Sequence, residues 1–135
     1  MQLELYLRET QLLAEHNARL LGEVRQRLLN NQSLSKLEES GMLHALQILI
    51  ENAIGKGKHI LKHLGCTVPV SAYEVFSALM EHDQIELEIL PQWQAIVGLR
   101  NKIVHDYMNI DIRLVKELVE NQQYRMVFDF LIKKI

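Results

Sequence analysis

The chain has 135 residues, 48% of them hydrophobic and 24% charged, and its net charge is −2 with histidines neutral. That composition fits one soluble domain over 1–135 with one core, and argues against a protein that coats nucleic acid non-specifically, which would be basic. No window approaches the ~20 apolar residues that cross a bilayer. The N-terminal residues lack the basic start and apolar run of a secretion signal, so a cytoplasmic location is expected. Cys66 is the only cysteine, which excludes a disulfide or a thiolate metal cluster within the chain.

Residues 3–29 are expected to form a first helix, with Leu3, Tyr6, Leu13, Leu20, Leu21, Val24 and Leu28 as its apolar positions. Asn30-Asn31-Gln32-Ser33 breaks the pattern. A second helix is expected from Leu34 to Leu64, with a capping box at Ser35 and Glu38, although Ser33 competes as the cap. Leu46, Leu49, Ile50, Ala53, Gly57, Ile60, Leu61 and Leu64 trace its buried stripe, and Gly65 is placed to end it. Gly41, Gly55 and Gly57 weaken this helix by propensity, which points to close approach by a neighbour, with a kink as the alternative.

After the short extended link Val68-Pro69-Val70, Ser71 and Glu74 suggest a second capping box, opening a third helix that ends near His82-Asp83. A fourth helix should begin around Glu86 to Glu88, because Pro91 is tolerated only in a first turn. Trp93, Ile96, Val97, Leu99, Ile103 and Val104 carry it onward. Asp111 can cap a fifth helix, and an amphipathic segment runs from about Gln122 to the end. No strand pair is evident. The expected class is all-α, an up-and-down bundle of five to six helices.

The chemically richest stretch is Arg100-Asn101-Lys102-Ile103-Val104-His105-Asp106-Tyr107. Arg holds phosphate oxygens through a planar fork of donors, and His exchanges protons near neutral pH. On a straight helix Arg100 and His105 stand about 140° apart, while Asn101 and His105 share a face and Arg100 and Tyr107 align within about 20°. Arg100 and His105 therefore meet only if the helix ends or bends near His105, or if two copies face each other across a two-fold axis. Each residue also has a plainer reading: a surface ion pair for Arg100, a packed interfacial histidine for His105, and a core-edge phenol for Tyr107.

The string Arg-Asn-x-x-Val-His-x-Tyr, followed by Ile110-Asp111, resembles the HEPN superfamily and within it the HepT-like toxins. Pro69-Val70-Ser71-Ala72-Tyr73-Glu74-Val75-Phe76 matches a second pattern of that family, and the order of long helices agrees. The resemblance implies a homodimer whose paired motifs line a cleft, and metal-independent cleavage of RNA with no cofactor. Arg100 would hold phosphate, His105 would transfer protons, and Asn101 would orient the backbone or the imidazole. It also implies a toxin–antitoxin system in which a minimal nucleotidyltransferase antitoxin attaches AMP groups to Tyr107. One departure stands out: many relatives carry an acidic residue where this chain reads Ala53-Ile54-Gly55-Lys56. Its lack keeps a second reading open, a non-catalytic acceptor subunit for the nucleotidyltransferase.

Lys56, Lys58 and Lys62, with Lys102 beside the motif, are candidates for guiding RNA; the alternative is a solvated helix face. His59 and His63 are spaced to bracket a metal, but no third ligand is evident, so no metal site is expected. Cys66 is expected to be a packing residue.

Overall fold

The frame is an antiparallel pair of long helices, α1 (Gln2–Leu29) and α2 (Lys36–His63). Their direction follows from contacts at both ends: Tyr6 stacks on His59 at 3.9 Å between ring centres, and Arg27 pairs with Glu38 at 2.6 Å. At 28 residues each, the two helices reach about 42 Å. The computed structural model describes residues 2–134; Met1 and Ile135, the ends of the expected 1–135 unit, lie outside the described residues. Four shorter helices pack on this pair: α3 (Ala72–Glu81), α4 (Leu90–His105), α5 (Ile112–Glu120) and α6 (Arg125–Ile132). The described residues are all-α, as expected, with no strand among them.

The local signals set most boundaries. Ser35, not Ser33, caps α2: its hydroxyl accepts from the Glu38 amide at 3.1 Å, while the Glu38 carboxylate accepts from the Ser35 amide at 2.8 Å. Gly65, at φ +76°, closes the other end, with Cys66 N–H bonding to Leu61 O and Gly65 N–H to Lys62 O. A single 3-10 turn, Leu87–Ile89, precedes α4, and Pro91 lies in the first turn of that helix. Asp111 caps α5 by accepting from the Arg113 amide at 3.1 Å. The second capping box does not form. Ser71 is the N-cap of α3 but its side chain makes no capping bond, and Glu74 is exposed.

The glycines of α2 serve close approach rather than a kink, since the helix runs unbroken through them. A Cβ on Gly57 would stand 2.9 Å from side-chain atoms of both Val75 and Leu79 on α3. One on Gly55 would stand 2.8 Å from the Tyr6 hydroxyl. Gly41 has no such neighbour. Beneath α3, an aromatic cluster joins three helices: Phe76 stacks on Trp93 at 4.2 Å, and Phe130 meets Trp93 edge-on at 5.1 Å.

The buried stripe of α1 differs from the expected one. Thr10, Ala14, Asn17 and Leu21 face inward, whereas Leu13 and Leu20 remain substantially exposed. These residues, rather than the larger leucines, form the buried face of α1. Gly57→Val should destabilise the fold by about 1–3 kcal/mol, because Val75 is branched at Cβ and cannot swing aside freely. Chemical denaturation checks this, and an unchanged midpoint would show that the α2–α3 contact is loose.

Candidate active site

Helix α4 stays regular through His105 and stops at Asp106, whose backbone leaves the helix at φ −145°, ψ 44°. His105 is thus the last helical residue. The helix ends too late to swing its imidazole towards Arg100, and the two remain about 140° apart on one copy. Asn101 and His105 do share a face, as expected. Tyr107 does not follow the helical stripe of Arg100, because it opens a 3-10 turn, Tyr107–Asn109, outside the helix. The expected alignment of phenol over guanidinium is therefore overturned by where the helix stops.

That turn is braced locally. Asp106 accepts from the Asn109 side-chain amide at 2.7 Å, and Asn109 N–H bonds to Asp106 O at 3.1 Å. Tyr107 is 47% exposed, and its hydroxyl stands 3.4 Å from Ser40 Oγ on α2. Ser40 did not emerge from sequence reasoning. It lies 67 residues away in the chain, and no local pattern marks it.

Among the described residues, the side chains of Arg100, Asn101, Lys102 and His105 form no ion pair and no hydrogen bond within the chain. The Arg100 guanidinium is half-buried, and its Nε is enclosed with no partner. A charged group held in this way has lost part of its hydration without gaining a protein acceptor. The ion-pair reading of Arg100 is thereby removed. His105 is exposed, which also removes the packed-histidine reading within one copy.

The lysine candidates separate. Lys56 is only 1% exposed and cannot meet RNA. Its ammonium donates to Phe130 O at 2.6 Å, Leu131 O at 3.2 Å and Lys133 O at 2.6 Å. It is therefore a clamp on the last turn of α6, where the helix dipole is negative. Burial, and then the neighbouring Lys133 charge, lower its pKa to about 8, which leaves it an ammonium at neutral pH. Lys62 and Lys102 are exposed and Lys58 is half-buried, and all three remain candidates. Lys58 lies five turns, roughly 27 Å, from Ser40 on the same face of α2. His59 is committed to its stack on Tyr6. Cys66 is partly buried against the core, as expected, and its thiol also touches His82 Nε2 at 3.3 Å. No group of three or more metal-ligating side chains occurs among the described residues. No described helix is long and apolar enough to cross a membrane.

The motif Arg-x4-His-x-Tyr closes α4 and opens the turn that follows it, and the helical bundle around it shares its fold with solved toxin structures. Chains of two solved structures superpose with TM-scores of 0.78 at 18% identity: a toxin–antitoxin crystal structure with AMP-PNP, and the tri-AMPylated Shewanella oneidensis HEPN toxin in complex with MNT antitoxin. Each match covers 93% of this chain, and 97% and 96% of those chains respectively. The family model for ribonuclease HepT-like proteins matches residues 14–133, and the chain belongs to that family. The mRNA nuclease HepT of Shewanella oneidensis (strain MR-1) is 29% identical over 85 residues. That match spans 63% of this chain and 63% of the relative's own length.

Lys56→Met should lower the melting temperature, because it leaves the terminal carbonyls of α6 without their donor at a cost of about 1–3 kcal/mol. Lys58→Ala and Lys62→Ala should leave it unchanged. Differential scanning calorimetry distinguishes these outcomes, and equal melting points for all three variants would contradict the clamp.

Proposed function

We propose that this protein is the toxin of a two-component system: a homodimeric, metal-independent endoribonuclease formed by one HEPN/HepT-like unit over 1–135. The observation that carries this reading is the Arg100 guanidinium, half-buried and unpaired on the helix that presents His105 to solvent. An uncommitted guanidinium at that depth is ready for a phosphate, which accepts its fork of donors. Two copies meeting around the motif would bring Arg100 of one towards His105 of the other and provide two imidazoles. The apolar side chains around the motif support such a pairing: Leu37 is 82% and Met108 91% exposed, with Val104 and Leu114 also open.

In the proposed reaction, one imidazole takes the proton from a ribose 2′-hydroxyl. The 2′-oxygen attacks the adjacent phosphorus, and the bond from phosphorus to the 5′-oxygen breaks. The leaving oxygen receives a proton from the second histidine, which enters the step as an imidazolium and leaves it neutral, while the first becomes the imidazolium. Arg100 stabilises the charge on the non-bridging oxygens, and Asn101 orients His105 on their shared face. Lys58, Lys62 and Lys102 guide the RNA strand. The relatives' association with an antitoxin supports a nucleotidyltransferase partner that attaches AMP to Tyr107. Such an adduct would place an anion at the phosphate site and close it.

The non-catalytic acceptor reading is favoured by one feature. In the stretch Ala53–Lys56 no carboxylate is available, and Ala53, Ile54 and Lys56 are all buried. The purified protein should cut RNA in EDTA, and His105→Ala should lower the rate by at least about a hundredfold without changing the circular dichroism spectrum. Cleavage at the native rate in that variant would remove His105 from the mechanism. An inactive native protein would favour the acceptor reading. Incubation with the nucleotidyltransferase and ATP should add AMP masses that Tyr107→Phe abolishes; the same gain in that variant would place the modification elsewhere.

A further inference from the structure

Tyr107 is the side chain whose placement owes least to its own helix. The braced turn from Asp106 to Asn109 fixes its backbone but leaves two side-chain torsions free. The phenol is nearly half exposed, and Met108 beside it points into solvent. What meets the phenol oxygen is Ser40, on the exposed side of α2, at 3.4 Å.

The behaviour of Ser40 is informative beside that of Ser77. Within a helix a serine hydroxyl commonly turns back to the carbonyl four residues earlier. Ser77 does so, donating to Tyr73 O at 3.2 Å. Ser40 makes no such bond and directs its hydroxyl outward to Tyr107. It therefore bridges α2 to the motif's tail through a single polar contact. The contact is long and solvent-exposed, so it orients the phenol rather than stabilising the fold.

We infer that Ser40 is a positioning residue for nucleotidyl transfer to Tyr107, holding the phenol oxygen at the surface with a lone pair directed outward. This inference rests on the proposed modification of Tyr107. In that step the Tyr107 oxygen attacks the α-phosphorus of ATP, and the bond to the bridging oxygen of the β-phosphate breaks. Pyrophosphate leaves, and the phenolic proton passes to a base of the transferring enzyme or to water. Ser40 neither gains nor loses a proton. It narrows the orientations the acceptor samples, which raises the fraction of encounters aligned for in-line attack. Loss of so long and exposed a contact should slow the transfer about twofold.

Two measurements test this, one of them needing no partner. With tyrosine labelled at Cζ with carbon-13, the Tyr107 resonance is identified by its loss in Tyr107→Phe. In the protein alone, Ser40→Ala should shift that resonance and Ser40→Thr should restore it. In the transfer assay with the nucleotidyltransferase and ATP, Ser40→Ala should lower kcat about twofold with KM for ATP unchanged, and Ser40→Thr should recover the rate. The melting temperature of both variants should match the native protein. A Tyr107 resonance unmoved by Ser40→Ala, or native transfer kinetics in that variant, overturns the inference. If native protein gains no AMP, the modification of Tyr107 fails as a reading and the positioning role falls with it. The resonance shift then still reports whether the contact exists, so the two failures are distinguishable.

Discussion

The pitch of one helix governs this site. Five residues separate Arg100 from His105, and α4 holds its regular geometry until His105 is inside it. At about 100° per residue the two side chains leave the helix in directions that do not meet. A guanidinium for phosphate and an imidazole for protons are both present, yet a single copy keeps them apart. The proposed dimer is thus part of the chemistry. The surface around the motif is consistent with this, since it exposes apolar side chains and leaves Arg100 and His105 without partners.

Other parts of the molecule serve to hold α4 in place. Trp93 near its start is locked between Phe76 of α3 and Phe130 of α6. Lys56 ties α2 to the end of α6, beneath the Phe130 ring. Gly57 lets α3 close onto α2. At the other end, Ser40 of α2 meets the turn that follows α4. The site thus lies at the rim of the bundle, where the turn after α4 meets the side of α2.

Most features decided within a few residues were legible in the sequence, the Ser71–Glu74 box being the exception. The Ser35–Glu38 box, the left-handed Gly65, Pro91 in a first turn and the Asp111 cap each depend on neighbours in the chain, and each forms. Features decided across the fold were not. Lys56 looked like part of a basic strip because its three acceptors lie more than seventy residues away. Leu13 and Leu20 looked buried because hydrophobic periodicity cannot show that the packing of the other helices covers the face of Thr10, Ala14 and Asn17 instead. Tyr107 was placed over Arg100 on the assumption that the helix continued, and it does not. The motif itself was visible from its spacing and family resemblance, whereas the availability of Arg100 required the structure.

The most direct test of the account is a dimer with one histidine removed. Native and His105→Ala chains are co-expressed with different tags, and the mixed dimer is purified by both. If one cleft draws its base and its acid from the His105 of each copy, losing either imidazole disables it. The mixed dimer should then cleave RNA about a hundredfold more slowly than the native dimer, like the His105→Ala dimer itself. A mixed dimer working at about half the native rate would show that each copy acts alone, and would contradict the two-copy site.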